Sequence, residues 1–248
     1  MKYNVSFDKD DNPTFTFYRE RLIKNSPQFK WVGAVHEIIP PIGNIINSDI
    51  AISHKKLKVN DPERNLKIYN KLIANNELLT PRDLYYYGRE LYYNSKYEEA
   101  INYLNRFLDS NMGWVEDCIS ACQVLSFCYN SINKPKEALD ILFKSFRYSY
   151  PRAEICCDIG QHFLNENNYE QAIFWYELAS KSQKNSEGFI SIDCYGYIPY
   201  MQLCLCYYKI GNCKKSEEYN ELAGEIKPLD SAYLYNKNFF ESIKNIKS

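Results

Sequence analysis

The chain has 248 residues, 45 % of them apolar, with 30 basic against 31 acidic side chains. That content suffices for a packed core and is too apolar for disorder, and the near-neutral balance supplies no field that would draw the protein to nucleic acid or anionic lipid. No apolar run approaches the roughly 20 residues a membrane span needs, and the opening MKYNVSFDKDDNP lacks the apolar stretch of a secretory signal.

Residues 1–60 read as strands. YNVSF alternates, with Tyr3, Val5 and Phe7 on one side, and TFTFY puts Phe15 and Phe17 together. The turn-rich DKDDNP between them makes this a hairpin with a long loop. Its Asp8-x-Asp10 reads as a solvated turn. RERLI follows, and Arg19 and Arg21 either clamp a diphosphate bidentately or form a charged strand exit. Next come WVGAVHEII and a further strand, DIAISH, which ends at His54. His36, Glu37 and His54 form a cluster only if the fold gathers them. Glu37 then suits a general base and His54 a divalent-metal ligand, while polar residues at strand ends explain the same pattern. Sixty residues of this kind make an incomplete core that must lean on other protein.

Residues 61–248 read as a helical repeat. In PRDLYYYGRELYYNSKYEEAINYLNRFL, Leu84, Gly88 and Leu91 share one helical face, and Tyr97, Ala100, Leu104 and Phe107 share another after a break at Asn94–Ser95. Small residues let paired helices approach, which is the logic of a tetratricopeptide unit. The pattern returns at Cys122–Ser145 and Cys156–Ala179, with Ala138 and Ala172 34 residues apart. A weaker fourth unit has Ser216 at the small position. The other intervals, 38 and 44, call for lengthened helices or inserted loops. SAYLYNKNFFESIKNIKS reads as a closing helix. Such units cannot bury their faces alone and must stack.

Nine cysteines lie mostly in apolar helical stretches without C-x-x-C spacing. They read as reduced, packed thiols, which points to the cytosol. The 23 tyrosines suit helices with wet grooves between them. His162 reads as a satisfied histidine, and Trp114 and Trp175 as packing between repeats.

FTFYRERLIKNSPQFKWVGAVHEIIPPIG, SDIAISHKK and the run from Arg64 to Leu104 resemble bacterial family 2 glycosyltransferases with a C-terminal tetratricopeptide region. GWVEDCISAC, PRAEICCDIGQHF and GYIPYMQLCLCYYKIG extend the resemblance, which is most specific in W-x-G-x-x-H-E and PRDLYYYGRELYYN. It implies a GT-A nucleotide-sugar domain, a mostly parallel sheet with helices on both sides, and Mg²⁺ or Mn²⁺ neutralising the leaving diphosphate in the complete enzyme. It would place Trp31 and Gly33 in the acceptor pocket, and His36 and Glu37 beside the reacting sugar, with Glu37 the catalytic base. His54 would approach the metal, and Arg19 and Arg21 the donor phosphates. The family's nucleoside pocket and D-x-D have no counterpart here.

The expected architecture is therefore mainly α, a tetratricopeptide-like solenoid behind a small strand-containing GT-A remnant. The expected function is that of a glycosyltransferase fragment, inactive alone, with nucleotide sugar bound only by the complete enzyme. Its repeats would hold the acceptor, a peptide or protein, or a second copy of the chain. The alternative is a tetratricopeptide-like interaction scaffold whose strands cap the stack.

Overall fold

The computed structural model describes residues 1–7, 11, 13–55, 61, 63–183 and 191–247, and not the side chains of 5, 6, 13–17 and 245–247. The Asp8–Asp10 turn and the sidedness of Val5, Phe15 and Phe17 lie outside what is described. Two units divide the chain, Met1–Lys96 and Tyr97–Ser248.

In the first unit, β1 (Lys2–Phe7) lies between β2 (Pro13–Tyr18) and β3 (Ala51–Ser53). β1 and β2 form the expected antiparallel hairpin, with a register irregularity between Asn4 and Phe7. β3 pairs with β1 in parallel over three residues, all exposed. This corrects the expected GT-A remnant. Such a domain has a mostly parallel sheet covered on both faces, whereas one antiparallel pair dominates here. Alternating apolar residues specify local pairing only. Between 19 and 50 no continuous strand follows, and W-x-G-x-x-H-E bends into a tight arc closed by the single bridge Val32–Ile38.

Helices α1 (Arg64–Ala74) and α2 (Pro81–Tyr93) complete the unit. α2 starts cleanly. Thr80 accepts from the Asp83 amide, the Asp83 carboxylate accepts from the Thr80 amide, and Pro81 occupies the first turn, where no N–H is needed. α1 packs on α2 through Tyr69 and Tyr87, whose rings lie 5.3 Å apart, and the Tyr87 hydroxyl donates to Asn70 at 2.8 Å.

The second unit holds α3 (Tyr97–Asp109), α4 (Val115–Ser131), α5 (Pro135–Lys144), α6 (Ala153–Asn165), α7 (Tyr169–Lys181), α8 (Tyr197–Lys209), α9 (Cys213–Ile226) and α10 (Ser231–Lys247). α4 pairs with α5, α6 with α7 and α8 with α9, and neighbouring hairpins stack. Ala100, Ala138, Ala172 and Ser216 each stand fourth in their helix and are fully buried. Serine fits where alanine recurs because its hydroxyl donates to the Cys204 carbonyl at 2.7 Å. The 38-residue interval arises because α4 has 17 residues where α6 has 13, one extra turn. The 44-residue interval arises in the connection 182–196.

One turn closes the hairpins. Asn133, Asn167 and Gly211 have positive φ, and the next residue but one starts the second helix. The amides of Lys134, Asn168 and Asn212 donate to the carbonyls of Tyr129, Phe163 and Tyr207 at 2.8–2.9 Å, the six-to-one bond of a Schellman ending. Within the first unit Asn76 and Ser95 end α1 and α2 in the same way.

One core joins Ile119, Leu142, Ile155 and Ile159 of α4, α5 and α6, and another joins Cys156, Ala172, Tyr176, Leu203 and Cys206 of α6, α7 and α8. Trp175 packs between repeats, 5.7 Å from Phe143 and 6.1 Å from Phe146. Trp114 does not. It precedes α4 with extended backbone and is 58 % exposed. His162 is buried, with Nε2 3.3 Å from Glu166. All nine cysteines are free and only Cys213 is exposed. Burial pushes the thiols of Cys122, Cys128 and Cys156 up to about 12.

Gly160 of α6 lies under the buried Tyr176 ring of α7. A Cβ there would meet ring atoms at 2.9–3.0 Å. Gly160→Leu should cost on the order of 2 kcal/mol or more, lowering Tm by about 4 °C or more. An unchanged melt would show that the ring does not rest on this glycine. A disulfide-exchange thiol reagent should label one cysteine per native chain, Cys213, and all nine after denaturation. Rapid labelling of several native thiols would contradict the packed cysteines.

Candidate functional site

Of the residues singled out in the first unit, the structure brings Arg19 to Glu37, and brings Arg21 and His54 to Tyr3. Arg19 pairs with Glu20 at 3.4 Å and donates to the Glu37 carbonyl. The Arg21 guanidinium lies over the Tyr3 ring, 4.2 Å from its centroid. Trp31 is 58 % exposed. Gly33 has φ +102°, a backbone that suits glycine, and a Cβ would meet the Val35 carbonyl at 3.3 Å. The His36 ring stacks on Tyr86 of α2, and Glu37 is exposed with its backbone carbonyl engaged. His54 Nδ1 pairs with the Tyr3 hydroxyl. Among the described residues no group of three or more His, Cys, Asp or Glu gathers as metal ligands.

Residues missed by the sequence reading gather in the second unit, where first helices of successive hairpins meet. Gln123 of α4 donates to the Asp158 carboxylate of α6 at 2.9 Å. The Arg152 guanidinium, just before α6, makes a two-pronged pair with the Glu116 carboxylate of α4 at 2.5 and 2.7 Å. The Glu154 carboxylate accepts from the Ser191 amide at 2.8 Å and the Tyr195 hydroxyl at 3.1 Å. Glu116, Ser120, Gln123, Arg152 and Glu154 line a narrow cleft there. Gln123 and Asp158 are 35 residues apart and Glu116 and Arg152 are 36 apart, close to the repeat period. That spacing was the available signal, since residues one repeat apart fall on equivalent places of neighbouring helices.

Solvent reaches Asp158, yet the atoms crowded around it push its carboxyl up to about 6. The Gln123 hydrogen bond works against this, and the charge of Glu154 adds to it. Phe127 of α4 and Leu205 and Tyr208 of α8 are exposed on first helices as well, at 49, 39 and 41 %. These helices therefore offer amide, carboxylate and apolar groups outward.

No protein-family model matches the chain, and the search of curated proteins returns no match. Solved structures match in fold. pilF of Pseudomonas aeruginosa is 18 % identical, with a TM-score of 0.51 over 69 % of this chain and 72 % of that one. MamA residues 41-end from Desulfovibrio magneticus RS-1 is 17 % identical, with a TM-score of 0.52 over 68 % and 88 %. A MamA RS-1 double mutant is 20 % identical, with a TM-score of 0.53 over the same shares. These likenesses carry the helical-hairpin solenoid and overturn the family 2 glycosyltransferase resemblance. With it falls the reading of the chain as a sugar-transferring fragment. No described helix is long and apolar enough to cross a membrane. The chain is similar to these proteins as a tetratricopeptide-like stack of helical hairpins.

Because Asp158 binds its proton more tightly folded than unfolded, its ionisation opposes folding. The penalty is absent below the ordinary aspartate range and grows as pH rises toward about 6. Asp158→Asn keeps an oxygen for Gln123 and should raise Tm above the parent's near neutral pH, with the gain vanishing in acid. The same difference at both pH values would count against a raised Asp158 carboxyl.

Proposed function

We propose that this protein is an interaction scaffold and that the first helices of its second unit bind an extended segment of a protein partner. The observation that supports this most directly is the Gln123–Asp158 bond between α4 and α6, with exposed Phe127, Leu205 and Tyr208 on the same set of helices. A fixed pair of side chains bridging two helices gives a partner defined hydrogen-bonding groups, and the exposed rings give it apolar area. Stacked hairpins repeat such positions along an extended surface.

Chemistry is not needed for this role. Glu116 is neutralised by Arg152, the thiols of Cys122, Cys128 and Cys156 are held protonated by burial, and His162 is paired with Glu166.

Panning a random peptide library against the full chain tests the reading. Enriched peptides should bind the parent at roughly micromolar Kd and lose about tenfold or more on combined Gln123→Ala and Asp158→Ala replacement, with the fold intact by circular dichroism. Peptides that bind parent and variant equally, or a library that yields no binder, would overturn the assignment of this face.

A further inference from the structure

The arc carrying W-x-G-x-x-H-E meets α2 through a histidine, a side chain that can gain or lose a proton. His36 has φ +53°, a left-handed conformation uncommon outside glycine but tolerated by histidine. That bend turns its ring onto α2. The ring stacks on Tyr86, with centroids 4.5 Å apart and planes at 27°, and Nε2 lies 3.4 Å from the Glu90 carboxylate. Glu90 is buried and also accepts from Asn65 of α1 at 2.9 Å.

The other charged groups facing this contact are arginines and carboxylates on α2 and on the arc's own side. Arg82 of α2 lies over Tyr86 at 4.7 Å and donates to the His36 carbonyl at 2.9 Å. Arg89 of α2 reaches the hydroxyls of Tyr85 and Tyr93. On the arc's own side, Arg19 donates to the Glu37 carbonyl, the Glu20 carboxylate accepts from the Ile39 amide at 3.3 Å, and Glu37 is exposed. Val35 and Ile39 are buried.

We propose that the 32–38 arc is a proton-sensitive latch on α2, fastened by protonated His36 against Glu90 and loosened when His36 gives up its proton. Burial alone would push the Glu90 carboxyl up, but hydrogen bonds from His36 and Asn65 outweigh it and hold it below the ordinary glutamate range. Glu90 is therefore held as the carboxylate, the form that accepts from a protonated imidazole. A charge-assisted bond is stronger than a neutral one, so the latch weakens as rising pH removes the imidazolium proton. The stacking and the Arg82 bond persist on both sides of it. The device concerns the first unit and stands apart from the peptide-binding face of the second.

Hydrogen exchange on the full chain reads the latch at two amides. Val32 donates to the Ile38 carbonyl at 2.8 Å, and Ile38 returns the bond at 3.1 Å. Corrected for intrinsic rates, their protection should fall about fivefold between about pH 5.5 and about pH 8. His36→Gln should abolish that pH dependence. Glu90→Gln, which keeps the shape and an acceptor for Asn65, should abolish it as well. Amides inside α2 report whether either variant disturbs the helix, and if one does, the other decides. Protection in the parent that does not change with pH, or a change that survives in a variant with α2 intact, overturns the proposal.

Discussion

Close approach of paired helices is the constraint on which the second unit rests. Two helices whose contact point carries a methyl or a hydroxymethyl can lie against each other along their length. A larger side chain there would hold them apart and open voids on both sides. Ala138, Ala172 and Ser216 meet this condition at the same place in three hairpins, and Ala100 does so in α3. Gly160 carries it further, since it has no side chain where Tyr176 comes down. Around these points the larger residues, such as Leu142, Ile159 and Leu203, fill the remaining space.

Register follows from the turns. The left-handed residue and its six-to-one bond end each first helix at a set distance from the small position of the second. The fourth residue then always arrives at the contact. Variation is confined to places that leave this distance alone, namely an added turn in α4 and an added connection before α8. Successive first helices can therefore present residues one period apart as neighbours, and the Gln123–Asp158 and Glu116–Arg152 pairs arise from that regularity.

The helical unit was legible because its cause is local and repeated. Small residues recurring once per hairpin and apolar residues on a helical face follow from packing, and even the serine was placed correctly. The first sixty residues were legible only as far as the β1–β2 hairpin. W-x-G-x-x-H-E suggested a pocket through its resemblance to a glycosyltransferase segment, but the chain uses Gly33 and His36 to turn a corner and dock an arc. Trp114 shows the same limit, since its surroundings depend on a connection whose course composition does not reveal. The polar pairs between first helices were missed because each partner alone looks like an ordinary surface residue.

Because every hairpin turn is bonded within itself, most of the order in this stack is acquired between residues near one another in the chain. Closing such short loops costs little entropy, and contacts of small sequence separation form quickly. Each hairpin can nucleate by itself and recruit its neighbour, so assembly has several starting points rather than one obligatory nucleus.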